Sequence, residues 1–345
     1  MTETKNIISG EEWNSFLEDK TFSTYVVLTD ENTSVYCLES FLIQYRLPSF
    51  IEIQIKSGEA NKGLSQVEFI WNRMLHSNVD RDALVICLGG GIVCDIGAFA
   101  ASTYKRGINF IHVPTTNLAM TDAAIGGKNG VNYFGIKNQI GTFQLPLALV
   151  IAPSLLKTLP ERELRAGHAE TLKHALISGQ RFWQELKEIK SFVDLDLIQK
   201  SMAVKQNLVV QDFKDKGIRQ SLNFGHTVGH GIESSALKTS YPLLHGEAIA
   251  IGMIVEAKLA MKYCGLSAPA VREIEQCIKE AIPVYIHPDL NANDCLYWMK
   301  QDKKNKNGQI VCSLISEIGV PVIEVEVTAS DILATMIETF ESWEA

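Results

Sequence analysis

The sequence predicts a two-domain protein: an α/β N-terminal domain with a parallel, doubly wound sheet, then a mainly α-helical C-terminal domain. Strand and helix patterns alternate through the first half of the chain, which is typical of a parallel sheet covered by helices on both faces. In the second half, apolar residues recur mainly at the spacing of α-helices. Because 345 residues exceed one ordinary hydrophobic core, we expect domains at residues 1–155 and 156–345.

Short apolar runs predict the order of the elements. Strands are predicted at 24–30, 50–56, 83–91 and 109–116, with a helix at 66–75. In the second half, apolar residues recur at helical spacing, and one strand pair interrupts them near 309–327. The helices predicted there cover residues 161–177, 195–212, 246–264, 270–281 and 329–343.

Charge and composition argue against several classes of protein. The net charge is −8, and no Lys/Arg tract is long enough to bind nucleic acid or a membrane surface. No apolar run approaches the length of a membrane span, and the N-terminus lacks the basic and apolar regions of a secretory signal. Seven scattered cysteines without a CxxC pair fit free thiols in a reducing cytosol. We therefore expect a cytoplasmic protein that binds neither nucleic acid nor membranes.

A triple glycine follows the strand predicted at 83–91. Gly89, Gly90 and Gly91 would let the backbone adopt positive φ and approach a ligand closely. The helix expected to begin near Ile92 would point its N-terminal N–H groups at the same place, which suits a pyrophosphate. The spacing is not GxGxxG, so a tight strand-to-helix turn is an equal alternative.

Polar residues after two upstream strands could complete a dinucleotide site. Asp30 and Asn32 lie just past a predicted strand end, where ribose hydroxyls are usually bound. Glu59 and Lys62 lie in the loop after the next strand. All four would otherwise be ordinary polar loop residues.

The stretch 121–143 is dense in glycine, asparagine and lysine and reads as a long loop. Its Lys128, Lys137 and Asn138 predict an anion-binding cradle, since lysine and asparagine suit phosphate or carboxylate oxygens. A solvated surface loop is the alternative. The apolar residues interleaved there favour a loop packed into a cleft; they are Ile125, Val131, Tyr133, Phe134 and Ile136.

Histidines and one carboxylate predict a metal site. Glu170 lies on the helix at 161–177, and one carboxylate with two imidazoles is a familiar zinc ligand set. His226 and His230 are four residues apart, as in zinc-protease helices, but Thr227 replaces the glutamate of that motif. His168 and His174 flank Glu170 and are more typical of a helix surface or core. His226, His230 and His245 remain open as ligands.

Four blocks of sequence together resemble the 3-dehydroquinate synthase family, over residues 24 to about 315. The blocks are "GGGIVCD", "YKRGINFIHVPTT…TDAAIGGKNGVN…GIKN", "ERELRAGHAETLKHALI" and "GIRQSLNFGHTVGHGIE…LLHGEA". The resemblance implies a homodimer with a nucleotide-binding N-terminal domain, bound NAD and one divalent metal, zinc or cobalt. It implies conversion of 3-deoxy-D-arabino-heptulosonate 7-phosphate to 3-dehydroquinate and phosphate, in the shikimate pathway of aromatic amino acid biosynthesis. The implied steps are transient oxidation with NAD, phosphate elimination, reduction and an intramolecular aldol.

The resemblance also assigns roles to single residues. It implies Glu170, His226 and His245 as metal ligands, and it makes His230 a phosphate and proton partner instead of a ligand. The other residues implied to act in catalysis are Lys128, Lys173, Lys205, Asp215 and Arg219. Implied substrate contacts are Arg106 from the partner subunit, Asp122, Asn138, Asn223 and one of Lys303 and Lys304, with Lys304 favoured. Implied NAD contacts are Asp30, Asn32, Glu59, Lys62, Gly90, Gly91, Asp95, Thr115, Thr116 and Lys137.

This chain departs from the family pattern at a few positions. Asp215 stands where the family usually has glutamate, so its side chain is one methylene shorter. Further departures are Cys94, Ala123, Ala124 and Asn129. None of them removes an implied metal ligand or phosphate cation.

Three alternative functions are left open. Other sugar phosphate cyclases, of the 2-deoxy-scyllo-inosose or 2-epi-5-epi-valiolone synthase type, share the NAD, the metal and the reaction sequence. Arg219, Asn223 and His230 favour the substrate that carries a carboxylate. A polyol dehydrogenase of the glycerol-dehydrogenase type would have no use for the cradle of Lys128, Lys137 and Asn138 and would consume NAD. A non-catalytic binding protein should have lost a ligand or a central lysine, and none is missing.

Overall fold

The computed structural model describes residues 4–134, 136–188, 191–301 and 309–343. The chain forms two compact units: an N-terminal unit of Met1–Pro160 with Val193–Leu195, and a C-terminal unit of Glu161–Phe192 with Asp196–Ala345. The fold class predicted from the sequence, an α/β domain followed by a mainly helical one, is confirmed. Within the described ranges, no helix is long and apolar enough to cross a membrane.

The N-terminal unit alternates strands and helices along most of its length. Its strands are β1 Lys5–Ile7, β2 Tyr25–Asp30, β3 Phe50–Ile55, β4 Leu84–Gly89, β5 Asn109–Pro114, β6 Lys128–Tyr133, β7 Ile136–Phe143 and β8 Ala148–Val150. Its α-helices are α1 Gly10–Glu18, α2 Glu31–Tyr36, α3 Leu38–Gln44, α4 Leu64–His76 and α5 Gly91–Thr103. A π-helix spans Ala119–Ala123, and short 3-10 helices span Glu59–Asn61, Tyr104–Arg106 and Pro153–Leu156.

Six strands of this unit form one sheet in the order β1-β8-β5-β4-β2-β3, and every pair in it is parallel. Side chains alternate between its two faces: on β2, Val26 and Leu28 join one hydrophobic cluster, and Val27 joins the other. Strand β4 is buried along its whole length, which explains the continuous apolar run. Helices therefore cover both faces, and the carboxyl ends of β2, β3, β4 and β5 meet at one edge.

The stretch expected to form a long loop is mainly a hairpin, so that prediction was wrong. Strands β6 and β7 pair antiparallel from Lys128↔Phe143 to Tyr133↔Ile136. The glycines that suggested a loop allow the two backbones to approach: a Cβ on Gly141 would lie 2.3 Å from the Asn129 carbonyl oxygen. The packing expected of the apolar residues holds for Ile125 and Val131, which are buried. It fails for the three exposed ones, Tyr133, Phe134 and Ile136.

The chain from Glu161 onward is mainly helical around one large hydrophobic cluster. Its helices are α6 Glu161–Ser178, α7 Gln180–Glu188, α8 Leu195–Gln211, α9 His226–Ala236, α10 His245–Tyr263, α11 Ala268–Ala281, α12 Ala292–Lys300 and α13 Ala329–Trp343. A 3-10 helix spans Ile218–Asn223, and β9 Ile310–Glu317 pairs antiparallel with β10 Val320–Val327. Helix α10 is buried on nearly all sides, so it forms the centre of this unit.

Candidate functional site

Three helices of the C-terminal unit bring one carboxylate and two imidazoles together. Glu170 lies in the middle of α6, His226 is the first residue of α9, and His245 is the first residue of α10. Oε1 of Glu170 lies 3.5 Å from Nε2 of His226 and 3.4 Å from Nε2 of His245. Three residues far apart in sequence thus direct their coordinating atoms to one point.

The surroundings of these atoms fit a divalent cation. Glu170 is fully buried, and no hydrogen bond from the described part of the chain satisfies its Oε1. The Phe224 carbonyl oxygen lies 3.2 Å from Nδ1 of His226, and Glu233 Oε2 lies 3.4 Å from Nδ1 of His245. These contacts hold the proton on Nδ1 of each ring and leave Nε2 for a metal. A carboxylate with two imidazoles and an open side is a ligand set of catalytic zinc.

The charges of the three groups suit this set in different ways. Burial raises the pKa of Glu170, but Lys173 and His226 outweigh it and hold that pKa well below its ordinary value. Burial, with the charge of Lys173, lowers the pKa of His226. Burial also disfavours charge on His245, but the adjacent carboxylates of Glu170 and Glu233 raise its pKa to about 10. Glu170 and His226 are therefore in their metal-binding forms, whereas His245 must release a proton to coordinate.

His230 is the third imidazole of the cluster. It lies one turn after His226 on α9, and its ring centroid is 5.2 Å from that of His226 and 5.7 Å from that of His245. Its side chain is exposed, unlike the other two. Two roles fit this position, a further ligand or a group facing the substrate, so the split between His226 and His230 stays a prediction.

Cationic residues implied to contact substrate are buried in the same unit. Lys173 lies one turn after Glu170 on α6 and pairs with Glu170 Oε2. Lys205 on α8 and Arg219 in the 3-10 helix are also buried, which is rare for such side chains without a polar role. Asp215, the departure from the family glutamate, has a positive φ of 57°. Asn223 ends the 3-10 helix, three residues before His226.

In the N-terminal unit, residues predicted to bind a nucleotide lie at the carboxyl edge of the sheet. Gly90 is the N-cap of α5 and provides no side-chain cap, so first-turn N–H groups remain available to an anion. A Cβ on Gly90 would lie 3.1 Å from Thr116 Cγ2, and the Thr115 N–H donates to Gly89 O. Positive φ was expected at these glycines, and that expectation is wrong: none of Gly89, Gly90 and Gly91 has it. They are needed for close packing, since a Cβ on Gly89 would lie 2.5 Å from Val93.

A polar network joins further residues of the predicted nucleotide site. Lys62 is buried, and its Nζ donates to Asp95 Oδ2 at 2.5 Å and to Asn138 Oδ1 at 2.7 Å. Asn132, which was not predicted, donates to Glu59 Oε1 at 2.8 Å and accepts from the Asn138 N–H at 3.0 Å. The hairpin is thereby fixed to the loop after β3. A single asparagine within a stretch rich in asparagine carried no signal of this role.

The other predicted residues lie mostly on elements of the N-terminal unit. Asp30 Oδ1 caps α2 by accepting from the N–H groups of Asn32 and Thr33. Lys128 begins β6 and is exposed, and Lys137 lies on β7. Asp122 lies in the π-helix, and Arg106 is exposed with a positive φ of 73°. Lys303 and Lys304 fall outside the described residues.

Of the two histidines flanking Glu170, His174 lies close to it: one of its ring nitrogens is within 4.8 Å of a Glu170 carboxylate oxygen. His174 Nδ1 lies 2.7 Å from Ser201 Oγ, and the His168 ring packs 4.7 Å from that of Phe192. Two carboxylates that the sequence did not single out also lie beside the cluster. Glu233 contacts His245, and Glu256 on α10 accepts two backbone N–H groups at the start of α9.

The chain is similar to known proteins along most of its length. Residues 52–166 match the family profile described as 3-dehydroquinate synthase N-terminal, and residues 167–305 match the one described as 3-dehydroquinate synthase C-terminal. The 3-dehydroquinate synthase of Parabacteroides distasonis is 36% identical over 352 residues, covering 97% of this chain and 98% of that protein.

Solved structures of other cyclases have the same fold. A 2-deoxy-scyllo-inosose synthase complexed with carbaglucose-6-phosphate, NAD+ and Co2+ superposes with a TM-score of 0.83 at 25% identity, covering 96% of each chain. A 2-epi-5-epi-valiolone synthase from Streptomyces hygroscopicus with NAD+ and Zn2+ bound gives 0.85 at 25% identity, covering 99% of this chain and 98% of that one. Both family profiles match, and the curated relative is similar along nearly its whole length. The chain therefore belongs to the 3-dehydroquinate synthase family.

Proposed function

We propose that this protein converts 3-deoxy-D-arabino-heptulosonate 7-phosphate to 3-dehydroquinate and phosphate, a step of the shikimate pathway of aromatic amino acid biosynthesis. One observation carries the proposal. In a chain of this family, the unsatisfied Oε1 of buried Glu170 lies within 3.5 Å of Nε2 of both His226 and His245. A cation held there would serve a cyclase that binds a polyhydroxylated sugar phosphate.

Glu170, His226 and His245 hold the divalent metal in this proposal, zinc or cobalt. Solved relatives with Co2+ or Zn2+ support that choice. When bound, the metal supplies a Lewis acid that stabilises negative charge on substrate oxygens. Lys173 keeps Glu170 ionised through their ion pair, and Phe224 and Glu233 orient the two imidazoles.

NAD binds at the carboxyl edge of the N-terminal sheet in this proposal. Gly90, Gly91 and the start of α5 receive its pyrophosphate, and NAD supplies a transient hydride acceptor that is regenerated within each turnover. The remaining nucleotide contacts are assigned to Asp30, Asn32, Glu59, Lys62, Asp95, Thr115, Thr116 and Lys137. The network of Lys62, Asp95 and Asn138 supports this assignment because it fixes two implied NAD contacts, Lys62 and Asp95, to each other and to the implied substrate contact Asn138.

The remaining implied residues bind and neutralise the substrate. Lys128, Asn138, Asn223 and His230 hold the phosphate and stabilise its charge as it leaves, and His230 moves a proton at Nδ1 or Nε2. The ring hydroxyls and carboxylate are assigned to Asp122, Lys173, Lys205, Asp215 and Arg219, and Lys304 is kept as a further anion contact. The burial of Lys173, Lys205 and Arg219 supports a role in holding anionic substrate groups away from water.

The alternative is another sugar phosphate cyclase, because the solved relatives named above carry out that chemistry on other substrates. The buried Arg219, assigned to the carboxylate, favours a substrate that carries one. The test is phosphate release by the purified protein with zinc and trace NAD, while absorbance at the NADH maximum is followed. Release from the heptulosonate phosphate without accumulated NADH supports the proposal. Release only from glucose 6-phosphate or sedoheptulose 7-phosphate assigns the alternative.

We also propose a homodimer in which Arg106 contacts the phosphate bound by the partner subunit. Its exposure and strained backbone (φ 73°) are consistent with a group presented outward. Mixing Arg106→Ala and Lys128→Ala proteins, each inactive alone, should restore activity, because mixed dimers contain one site with both groups. The arrangement is supported if activity returns after the two variants are diluted, mixed and allowed to exchange subunits, and if light scattering gives the mass of a dimer. A monomer mass or inactive mixtures contradict it.

A cytoplasmic location stays a prediction.

A further inference from the structure

We propose that Glu256 is a positioning residue for the metal site: its buried carboxylate fixes the first turn of α9 and so holds His226 in its coordinating position. The inference rests on the proposed role of His226 as a ligand. It concerns a side chain on α10 that lies 30 residues after His226 in the sequence and that no motif brought to attention. Glu256 itself contributes no ligand atom in this proposal.

Glu256 is a buried carboxylate that accepts hydrogen bonds from two backbone N–H groups. It is 0% exposed, its Oε2 accepts from the Gly225 N–H at 2.6 Å, and its Oε1 accepts from the Val228 N–H at 3.0 Å. The N-cap of α9 is Gly225, which has no side chain to accept from these amides. Glu256 therefore provides from α10 the cap that α9 lacks, and its negative charge lies at the positive end of the helix dipole.

The two amides bracket His226. Gly225 precedes this histidine and Val228 follows it by two residues, so one carboxylate fixes the backbone on both sides of the ligand. The ring of His226 has one contact at each nitrogen: Nδ1 lies 3.2 Å from the Phe224 carbonyl oxygen, and Nε2 lies 3.5 Å from Glu170 Oε1. Movement of this turn would rotate the Nε2 lone pair away from Glu170 and His245.

Glycines make the contact between α9 and α10 close enough for this cap. Gly225 has a left-handed φ of 80°, and a Cβ there would lie 2.4 Å from Met253 Cγ. A Cβ on Gly252, one turn before Glu256, would lie 2.1 Å from the Gly225 carbonyl oxygen. The helices pack backbone against backbone at this point, so the start of α9 has little room to adjust if its cap changes.

The test compares Glu256→Gln with Glu273→Gln in the full chain. Glutamine keeps one acceptor at position 256 but turns an NH2 group toward the second amide, which disrupts the cap without changing volume. Glu273 is a carboxylate on α11 that accepts from Trp183 Nε1 at 2.8 Å and Lys187 Nζ at 2.5 Å, and its substitution controls for lost charge and stability. Co2+ affinity by chelator competition, the Co2+ ligand-field spectrum and thermal unfolding are measured for each.

We expect Glu256→Gln to bind Co2+ about 10- to 100-fold more weakly, as loss of outer-shell partners does, with an altered spectrum. Glu273→Gln should keep wild-type affinity and spectrum even if its unfolding temperature falls. Wild-type Co2+ affinity and spectrum in Glu256→Gln would overturn the inference. If that variant does not fold, Glu256→Asp is read the same way: weakened binding supports the inference, and unchanged binding overturns it. Failure of the wild-type protein to bind Co2+ would instead refute the metal site itself.

Discussion

At the scale of single residues, two histidines one turn apart on α9 have different surroundings. His226 is half-buried and faces Glu170, whereas His230 is exposed. We expect His226→Ala to lower metal affinity by more than the roughly 10- to 100-fold caused by losing an outer partner. His230→Ala should keep its metal but lose most of its turnover. Metal content by mass spectrometry and phosphate release measure the two effects.

His287→Ala is the matched control for that pair, because His287 lies in the same unit and contacts Ser240 and Asp289 instead of the cluster. It should keep both metal and activity. Stoichiometric metal loss in His230→Ala would show that His230 is a ligand and would contradict the division of roles.

Protonation of His245 gives metal binding a pH dependence of definite sign. The pKa of His245 is raised to about 10, so this ring carries a proton at neutral pH and must release it to coordinate. Glu170 and His226 have lowered pKa values and are already in their binding forms. Co2+ affinity should therefore rise about ten-fold per pH unit between roughly pH 6 and 8. Affinity that is constant over this range would contradict the prediction; His245→Asn should show the flat profile.

Single-residue roles were predictable from the sequence only where a motif carried them. Glu170, His226 and His245 stand in blocks that resemble a known family, and the structure brings them together. Glu256 and Asn132 act through contacts to backbone amides or a distant side chain. Such contacts depend on how two elements cross, and no local pattern of residue types encodes that crossing.

At the scale of elements, α6 and α10 approach so closely that only glycine fits at their contact. A Cβ on Gly246 would lie 1.7 Å from the Ala166 carbonyl oxygen. Gly246→Ala should therefore push the helices apart and cost about 1–3 kcal/mol of unfolding free energy. Because α6 carries Glu170 and α10 carries His245, Co2+ binding should weaken as well. Urea denaturation and Co2+ titration measure the two losses.

Gly63→Ala is the control for this substitution. A Cβ on Gly63 meets nothing within 4 Å, and its φ of −137° suits any residue. Because Gly63 is the N-cap of α4, we expect a loss of less than about 1 kcal/mol, the typical cost of alanine at an N-cap. Equal stability of the two variants would show that the contact between α6 and α10 relaxes without cost.

Elements with a clear pattern of apolar residues were predictable from the sequence, and the hairpin of β6 and β7 was not. The fully buried β4 is a continuous apolar run, and α6, α8, α10, α11 and α13 match helices predicted from their spacing. In β6 and β7, glycines and asparagines replace the apolar alternation of a strand. The hairpin is specified there by the close backbone approach at Gly130 and Gly141 and by the contacts of Asn132. The composition of this stretch alone predicts a loop.

At the scale of the whole molecule, each unit is assigned its own cofactor, so the two binding events should be separable. Lys62→Met removes the cation that joins Asp95 and Asn138 in the N-terminal unit. Hydrogen bonds to charged groups contribute about 1.5–3 kcal/mol, so NAD affinity should fall about ten-fold or more. Co2+ affinity should not change. His226→Ala should show the converse, with Co2+ binding lost and NAD binding kept.

Calorimetric titration with NAD and chelator competition with Co2+ measure these effects on the same preparations. Lys56→Met is the matched control, since Lys56 lies near Lys62 in the sequence but is exposed; it should leave both affinities unchanged. Loss of Co2+ binding in Lys62→Met would mean that the units are coupled in binding. If Lys62→Met instead bound NAD as tightly as the wild type, the polar network of Lys62, Asp95 and Asn138 would stabilise the N-terminal unit without holding the nucleotide. NAD would then have to be held by the glycine turn, the start of α5 and the remaining assigned contacts, without this network.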